Sequence, residues 1–188
     1  LSINPLAAYS LSRFPMRSTH KILLFFLATM AFPAEVAMVP NFLLLRDLGL
    51  LNTYAALILP GMANGFSIFL LKGFFDSLPQ ELYQAAEIDG ASEFQIFRLV
   101  AMPLVKPILA YIGLGAFVAA YSGFMWALVI CPRQEMWTLM VWVYDFQTQN
   151  HGNNYVMAAT VLVSLPPLIV FLFANRIIMK GIVIPAMK

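Results

Sequence analysis

The chain has 188 residues, of which 61 % are hydrophobic and 11 % charged, and its formal net charge is +2. Its mean hydropathy is +0.81, whereas a soluble globular domain is far less apolar and carries about a quarter charged residues. Composition therefore excludes an ordinary soluble domain and indicates a membrane protein, and the single cysteine excludes an internal disulfide.

Four apolar stretches are long enough to cross a bilayer, which takes about 20 residues of helix. Residues 1–12 are apolar but too short to cross, and they lack the pattern of a signal peptide. We expect them to be the tail of a span that begins before the first residue. The predicted fold is an all-α, polytopic transmembrane helix bundle, truncated at its N-terminus, with part of one span followed by full spans at 22–41, 53–75, 107–131 and 155–178.

Two of the predicted spans contain residues that disturb a helix or carry charge. Glu35 stands between two prolines, so it either lies near the outer interface where the prolines break the helix, or lines a pathway. Pro166 and Pro167 lie in the middle of the last span and free the carbonyls of Leu162 and Val163 from helical hydrogen bonds. A kink or hinge is expected there.

Neutral polar side chains within the spans need partners, because an unsatisfied polar group is costly in lipid. They are candidates for lining a solute pathway, and the alternative is ordinary hydrogen bonding between helices. The five candidates are Asn64, Ser67, Tyr121, Ser122 and Ser164. The G-x-x-x-G pattern at 61–65 favours close packing of two helices over a ligand role.

The basic residues are distributed unevenly over the segments between these spans. Nine of the eleven fall on one side, and only Arg46 and Arg133 fall on the other. Since basic residues are enriched on the cytoplasmic side, the segment 76–106 and the C-terminus are predicted to be cytoplasmic. The outer side then holds 42–52, predicted as a short interfacial helix, and 132–154, predicted as an external loop that reaches the membrane interface.

The segment 76–106 is a polar island that holds five of the nine carboxylates. Ser77 and Gln80 have capping-box spacing, which predicts a helix over 78–88 that stops at Gly90, a residue that adopts left-handed backbone angles freely. The same spacing recurs at Ser92 and Gln95, which predicts a second helix to residue 102, and Pro103 and Pro107 bracket the step into the next span. Leu82, Tyr83, Phe94, Phe97 and Val100 are expected to offer an apolar surface, and the alternative is that the two helices merely cap the bundle.

One pattern in this segment resembles the E-A-A-x₃-G-x₉-I-x-L-P motif of permease subunits of ATP-binding-cassette (ABC) importers. It reads Gln84-Ala85-Ala86, three residues, Gly90, nine residues, then Val100-x-Met102-Pro103. The first Glu of that motif is Gln84 here. The resemblance extends over AAYSLSRF at 7–14, LRDLGLLNTYAALILP at 45–60 and TLMVWVYDFQ at 138–147, and the ending NRIIMKGIVIPAMK is similar to that of the second permease subunit in the maltose-type branch.

This resemblance implies the type I importer permease fold, with residues 1–188 forming a single transmembrane domain of the bacterial inner membrane and 76–106 forming the coupling loop. It implies a non-enzymatic subunit that binds no cofactor itself, while ATP and Mg bind to a separate ATPase dimer. The other implied partners are a second homologous permease, an external solute-binding protein, lipid and a small sugar, with no nucleic acid. Glycerol phosphate or an amino-sugar is the alternative solute, and a scaffold that only recruits a cytoplasmic partner is the alternative from another class.

The same resemblance implies which residues make the contacts. Contact with the ATPase is expected from Glu81, Gln84, Ala85, Ala86, Glu87, Asp89, Gly90, Ala91, Phe97 and Pro103. Contact with the binding protein is expected from Gln147, Asn150 and Asn153. The chain itself has no G-x₄-G-K-[ST] phosphate loop that would bind ATP.

Overall fold

The computed structural model describes residues 3–14, 16–149 and 152–182, and the regular elements in these ranges are all helices. The predicted all-α architecture is therefore confirmed for the described part of the chain. The α-helices are α1 (Ile3–Arg13), α2 (Thr19–Thr29), α3 (Ala34–Asp47), α4 (Tyr54–Ile58), α5 (Gly65–Asp76), α6 (Gln80–Ile88), α7 (Glu93–Gln95), α8 (Met102–Leu104), α9 (Lys106–Ser122), α10 (Phe124–Ile130), α11 (Leu139–Thr148) and α12 (Asn153–Ile182).

Three of the four predicted spans are broken rather than continuous. The span predicted at 22–41 is divided between α2 and α3, because Pro33 has extended backbone angles and begins α3. Glu35 lies in the first turn of that helix, at the break. The span predicted at 107–131 breaks at Gly123, where a Cβ atom would meet the Ala119 carbonyl oxygen at 3.1 Å.

The span predicted at 53–75 consists of two helical pieces bent by 48° between Gly61 and Gly65. One helix, Asn153–Met179, is long and apolar enough by itself to cross a membrane, and up to three spans result among the described residues if each bent helix pair counts as one. The second such pair is Glu93–Leu104 with Lys106–Ser122, bent by 78°.

The chain divides into two compact units, and the first comprises the described parts of 1–31, 62–113 and 174–188. Its core forms where α1 and α2 pack against α5. The ring of Tyr9 lies at the centre, with its centroid 5.6 Å from that of Phe75 and 5.1 Å from that of Phe97. At the other end of α1 the Asn4 side chain accepts a hydrogen bond from the backbone N–H of Asn64, so α1 is fixed to α5 at both ends.

The second unit comprises 32–61 and the described parts of 114–173. Its core packs Leu45 and Ala56 against Ile130 and Cys131. Asn52 closes this cluster: its φ is 58°, its N–H donates to the Ile130 carbonyl, and its side-chain oxygen accepts from the N–H of Arg133 at 3.0 Å.

Helix α12 continues through Pro166 and Pro167. Because Pro167 has no N–H, the Val163 carbonyl lacks its helical donor. The Tyr121 hydroxyl donates to that carbonyl at 2.7 Å. The predicted freeing of the Val163 carbonyl is thus confirmed, and the kink or hinge stays a prediction.

Candidate functional site

The polar island forms two helical arms joined by a tight turn, and we call residues 80–104 the knuckle. The first arm is α6, which begins two residues later than predicted. The predicted capping box at Ser77 is wrong, because Ser77 still has helical backbone angles at the end of α5. Its hydroxyl therefore donates backward to the Phe74 carbonyl at 2.7 Å instead of capping α6.

The turn between the arms is centred on Gly90, as predicted. Its φ is 76°, in the left-handed region that an L-residue with a Cβ atom disfavours. The N–H of Ala91 donates to the Ala86 carbonyl and the N–H of Gly90 to the Glu87 carbonyl, each at 3.0 Å. This pair of bonds is the Schellman arrangement, which ends a helix by reversing the chain.

The second arm runs from Glu93 to Leu104 and begins with the predicted capping box. The Ser92 hydroxyl accepts from the N–H of Gln95, and the Gln95 side chain accepts from the N–H of Ser92. The arm includes a π-helical segment, Ile96–Ala101. It ends at Leu104, before the 78° bend into α9, so the step into the next helix lies between Pro103 and Pro107 as expected.

Most of the predicted ATPase-contact residues lie on the exposed surface of the knuckle. Two aromatic residues expected at this surface are instead buried: Phe97 is 9 % exposed and Tyr83 is 6 % exposed, and both pack on Tyr9. The prediction that Phe97 and Tyr83 face a partner is therefore wrong, because they supply the apolar layer that attaches the knuckle to α1 and α5. The exposed members of the predicted set are Glu81, Gln84, Ala85, Glu87, Asp89, Gly90 and Pro103, and Ala86 and Ala91 are partly exposed.

Sequence reasoning expected Leu82 and Phe94 among the apolar side chains that the knuckle exposes, but it missed Ile88 and Leu99. Ile88 is 86 % exposed, and Phe94 and Leu99 are also largely exposed. Ile88 continues an outer stripe on α6 with Leu82 and Ala85, at a spacing of three residues that places them on one helix face. This three-residue spacing is visible in the sequence and could have indicated the exposed stripe.

A network of charged and aromatic groups joins the knuckle to the last residue of α1, and sequence reasoning missed this too. The Arg13 guanidinium pairs with Glu87 and with Glu93, and it lies 5.1 Å from the centroid of the Tyr83 ring. The Tyr9 hydroxyl donates to Glu93 at 2.9 Å. Burial raises the pKa of the Tyr83 phenol, which keeps that group neutral next to the ion pairs.

Four of the five candidate pathway residues make hydrogen bonds within the described part of the chain, three of them to near neighbours in sequence. Asn64 caps α5 by accepting from the N–H and the hydroxyl of Ser67. Ser164 donates to the Val161 carbonyl, and Tyr121 donates to the Val163 carbonyl. Ser122 is exposed at the end of α9. These bonds satisfy the polar groups, and a role in a pathway stays a prediction.

The segment 132–154, predicted as an external loop, contains a helix, because α11 occupies Leu139–Thr148 within it. Its place outside the membrane stays a prediction. Among the candidates for binding-protein contact, Gln147 is exposed near the end of α11 and Asn153 is exposed at the first residue of α12. Asn150 lies outside the described residues.

Comparison with known proteins decides the family. Residues 4–184 match the family model described as "Binding-protein-dependent transport system inner membrane component". The chain belongs to this family. The predicted resemblance to ABC importer permeases, and with it the polytopic membrane fold, is confirmed.

Individual relatives of the permease are similar along most of its length. It is 31 % identical over 190 residues to the arabinooligosaccharides transport system permease protein AraQ of Halalkalibacterium halodurans, covering 100 % of this chain and 68 % of the relative. It is 34 % identical to the sn-glycerol-3-phosphate transport system permease protein UgpE of Rhizobium meliloti, covering 91 % of this chain and 61 % of the relative. The UgpE protein of Salmonella typhi is 33 % identical, with 97 % and 66 % covered.

A solved structure shares the fold of the permease. It is described as the crystal structure of a bacterial ABC transporter involved in the import of the acidic polysaccharide alginate, and one of its chains aligns with a TM-score of 0.71 and 29 % identity. The alignment covers 98 % of this chain and 67 % of that one. The permease chain thus spans between 61 % and 68 % of the length of these relatives.

Proposed function

We propose that this permease forms one half of a heterodimeric pathway for sugar or oligosaccharide uptake, and that the knuckle couples it to a separate ATPase dimer. The observation that carries the proposal is the knuckle itself: a two-armed helical element with an intact motif spacing, whose surface exposes Ile88, Phe94 and Leu99. Large apolar side chains grouped on an exposed face mark a surface that binds another protein or lipid.

The placement of charged and apolar side chains supports separate roles for this chain and the ATPase. The knuckle carries four of the nine carboxylates and the exposed apolar stripe of α6, while the chain has no phosphate-binding loop. ATP and Mg would bind to the partner ATPase, and this chain would act without catalysis, by moving its helices between inward-facing and outward-facing arrangements. The knuckle and the C-terminus would lie in the cytoplasm, on the side where nine of the eleven basic residues fall.

A sugar suits the candidate pathway residues better than a phosphorylated solute does. Asn64, Ser67, Tyr121, Ser122 and Ser164 are amides and hydroxyls, which exchange hydrogen bonds with neutral sugar hydroxyls. A phosphate would call for arginine or lysine in the pathway. Glycerol phosphate remains the alternative solute because relatives of 32–34 % identity carry sn-glycerol-3-phosphate in their names. An external binding protein would deliver the solute, with Gln147, Asn150 and Asn153 as contact candidates.

Reconstitution of the complete transporter in proteoliposomes tests this proposal. The full-length permease is co-purified with its second permease and ATPase, and uptake of radiolabelled solute is measured with the binding protein outside and ATP inside. The solute is first identified by mass spectrometry of the ligand that the binding protein carries.

We expect ATP-dependent uptake of a neutral sugar, and no uptake when a non-hydrolysable ATP analogue replaces ATP. Uptake of a glycerol phosphate instead would contradict the assignment of the solute. Recovery of the permease without an ATPase or a second permease would contradict the transporter assignment and favour a scaffold.

A further inference from the structure

Arg13 joins both arms of the knuckle to the end of α1. Its guanidinium pairs with Glu87 on the first arm and lies 3.3 Å from a carboxylate oxygen of Glu93 on the second arm. The Arg13 side chain is 22 % exposed, whereas those of Glu87 and Glu93 are 47 % and 43 % exposed, so solvent screens these ion pairs in part.

The two carboxylates are placed symmetrically about the turn. Glu87 comes three residues before Gly90 and Glu93 three residues after it. The turn itself is open, since a Cβ atom built on Gly90 would meet nothing within 4 Å. Side-chain packing at Gly90 therefore does not fix the angle between the arms, and one guanidinium binds a carboxylate on each of them.

Aromatic residues support the guanidinium and extend the connection into the core. The Tyr83 ring lies beneath Arg13, in the arrangement that favours a cation over a ring face. Tyr9, one turn earlier on α1, donates to the second carboxylate oxygen of Glu93 and packs on Phe97 of the second arm. Both carboxylate oxygens of Glu93 are thus bound by α1.

The other charged groups nearby have partners of their own. Asp76 at the end of α5 pairs with Lys72 and accepts from the Ser12 hydroxyl at 2.6 Å. Among the described residues, Arg13 is the cation that pairs with Glu87 and with Glu93. A lysine could not replace it fully, because a single ammonium group lacks the planar fork that binds two carboxylates at once.

We propose that Arg13 is a positioning residue that locks the two arms of the knuckle to α1, so that force applied to the knuckle moves α1 together with α5. This inference rests on the proposed function, because it assumes that the ATPase pushes on the knuckle. Without the lock, the arms pivot at Gly90 and absorb the motion. ATP is then hydrolysed with less solute moved, which is loss of coupling between two sites.

The test measures uptake and ATP hydrolysis together, per assembled transporter, in proteoliposomes that contain the complete complex. Arg13→Gln removes both ion pairs, and Arg13→Lys keeps the charge but not the fork. Arg17→Gln is the matched control, because Arg17 is exposed and makes no ion pair within the part of the chain that the structure describes.

We expect Arg13→Gln to lower the number of solute molecules moved per ATP about fivefold or more, the lower end of typical coupling between sites, while ATP hydrolysis stays within about twofold of the parent. Arg13→Lys should fall between parent and Arg13→Gln, and Arg17→Gln should match the parent. Combining Arg13→Gln with Glu93→Gln should lower the ratio no further than Arg13→Gln alone, because both remove the same interaction.

An unchanged ratio of uptake to ATP hydrolysis in Arg13→Gln would overturn the inference. Reduced assembly with a normal ratio per assembled complex would overturn it too, because that result describes a stabilising residue only. If Arg13→Gln does not assemble at all, the ratios of Arg13→Lys and Glu93→Gln decide the same question. Absence of ATP-driven uptake in the parent would contradict the proposed function. Normal uptake in the parent, together with a normal ratio of uptake to ATP hydrolysis in Arg13→Gln, would contradict this inference alone.

Discussion

Gly90 is the residue on which the shape of the knuckle depends most directly. Its φ of 76° costs an L-residue with a Cβ atom roughly 1–2 kcal/mol, and β-branched side chains are poorly tolerated there. Asparagine enters this region more readily than other non-glycine residues. The open space around Gly90 means that the backbone, and not a clash, decides the outcome.

We therefore expect Gly90→Val to abolish ATP-driven uptake at normal membrane levels, and Gly90→Asn to keep most of it. Uptake in proteoliposomes, normalised to the amount of permease, checks this. Equal activity of Gly90→Val and the parent would show that the turn transmits no force.

Sequence patterns predicted the turn but not the inner and outer faces of the knuckle. Gly90 and Ser92 have local signatures, because a left-handed turn and a capping box depend on a few neighbouring residues. The α6 sequence has two apolar stripes, one with Tyr83 and one with Ile88, and helical spacing does not tell which stripe is buried. The stripe with Tyr83 is the buried one because it packs on Tyr9 of α1. Tyr9 is far from the knuckle in sequence, and for that reason the expected exposure of Tyr83 and Phe97 was wrong.

Two serines at helix ends in and beside the knuckle have the same capping-box spacing to a glutamine, and they can be compared directly. Ser92 caps its helix, with its hydroxyl accepting from Gln95, whereas Ser77 bonds backward to Phe74 and leaves α6 uncapped. Ser92→Ala should lower the free energy of unfolding by about 1 kcal/mol, the usual value of a capping serine, and Ser77→Ala should change it by less. Thermal unfolding of the purified permease in detergent measures both, and equal losses would contradict the assigned caps.

Helix α12 depends on a residue of α9 for one of its backbone groups. The Val163 carbonyl accepts from Tyr121 because Pro167 cannot donate. Tyr121→Phe should lower the free energy of unfolding by about 1–3 kcal/mol, the cost of leaving such a group without a donor.

The matched background is Pro167→Ala, which restores an N–H for Val163. In that background Tyr121→Phe should cost clearly less, and thermal unfolding of the four variants in detergent gives the comparison. The same loss in both backgrounds would mean that Tyr121 does not stabilise the permease through this carbonyl.

Hydropathy located the apolar segments, yet it did not predict where the helices break. Pro33 had a clear signal, since proline favours the start of a helix. Gly123 had none, because a glycine in an apolar run is compatible with an unbroken membrane helix. The segment 132–154 read as a loop because its polar end, QTQNHGNN, dominates the pattern, although the apolar residues before it form α11.

The permease as a whole exposes much apolar surface that lipid or another protein must cover. Helix α12 shows this most clearly: only 6 % of its most apolar window is buried by the rest of the chain, as expected for a helix that contacts lipid or a second permease. Composition predicted this class of protein well. It could not predict which solute is moved, because the chain supplies only part of the proposed pathway.

Crosslinking from Ile88 shows whether the exposed surface of the knuckle binds an ATPase, as proposed. A photoreactive amino acid replaces Ile88, the most exposed large apolar residue of the knuckle. The control position is Tyr155, which is also strongly exposed but lies near the start of α12. Both variants are irradiated in membranes that contain the complete transporter, and adducts are identified by mass spectrometry. We expect an adduct between position 88 and the ATPase and none from position 155. An assembled, active transporter that yields no ATPase adduct from position 88, with or without ATP, would contradict the proposal.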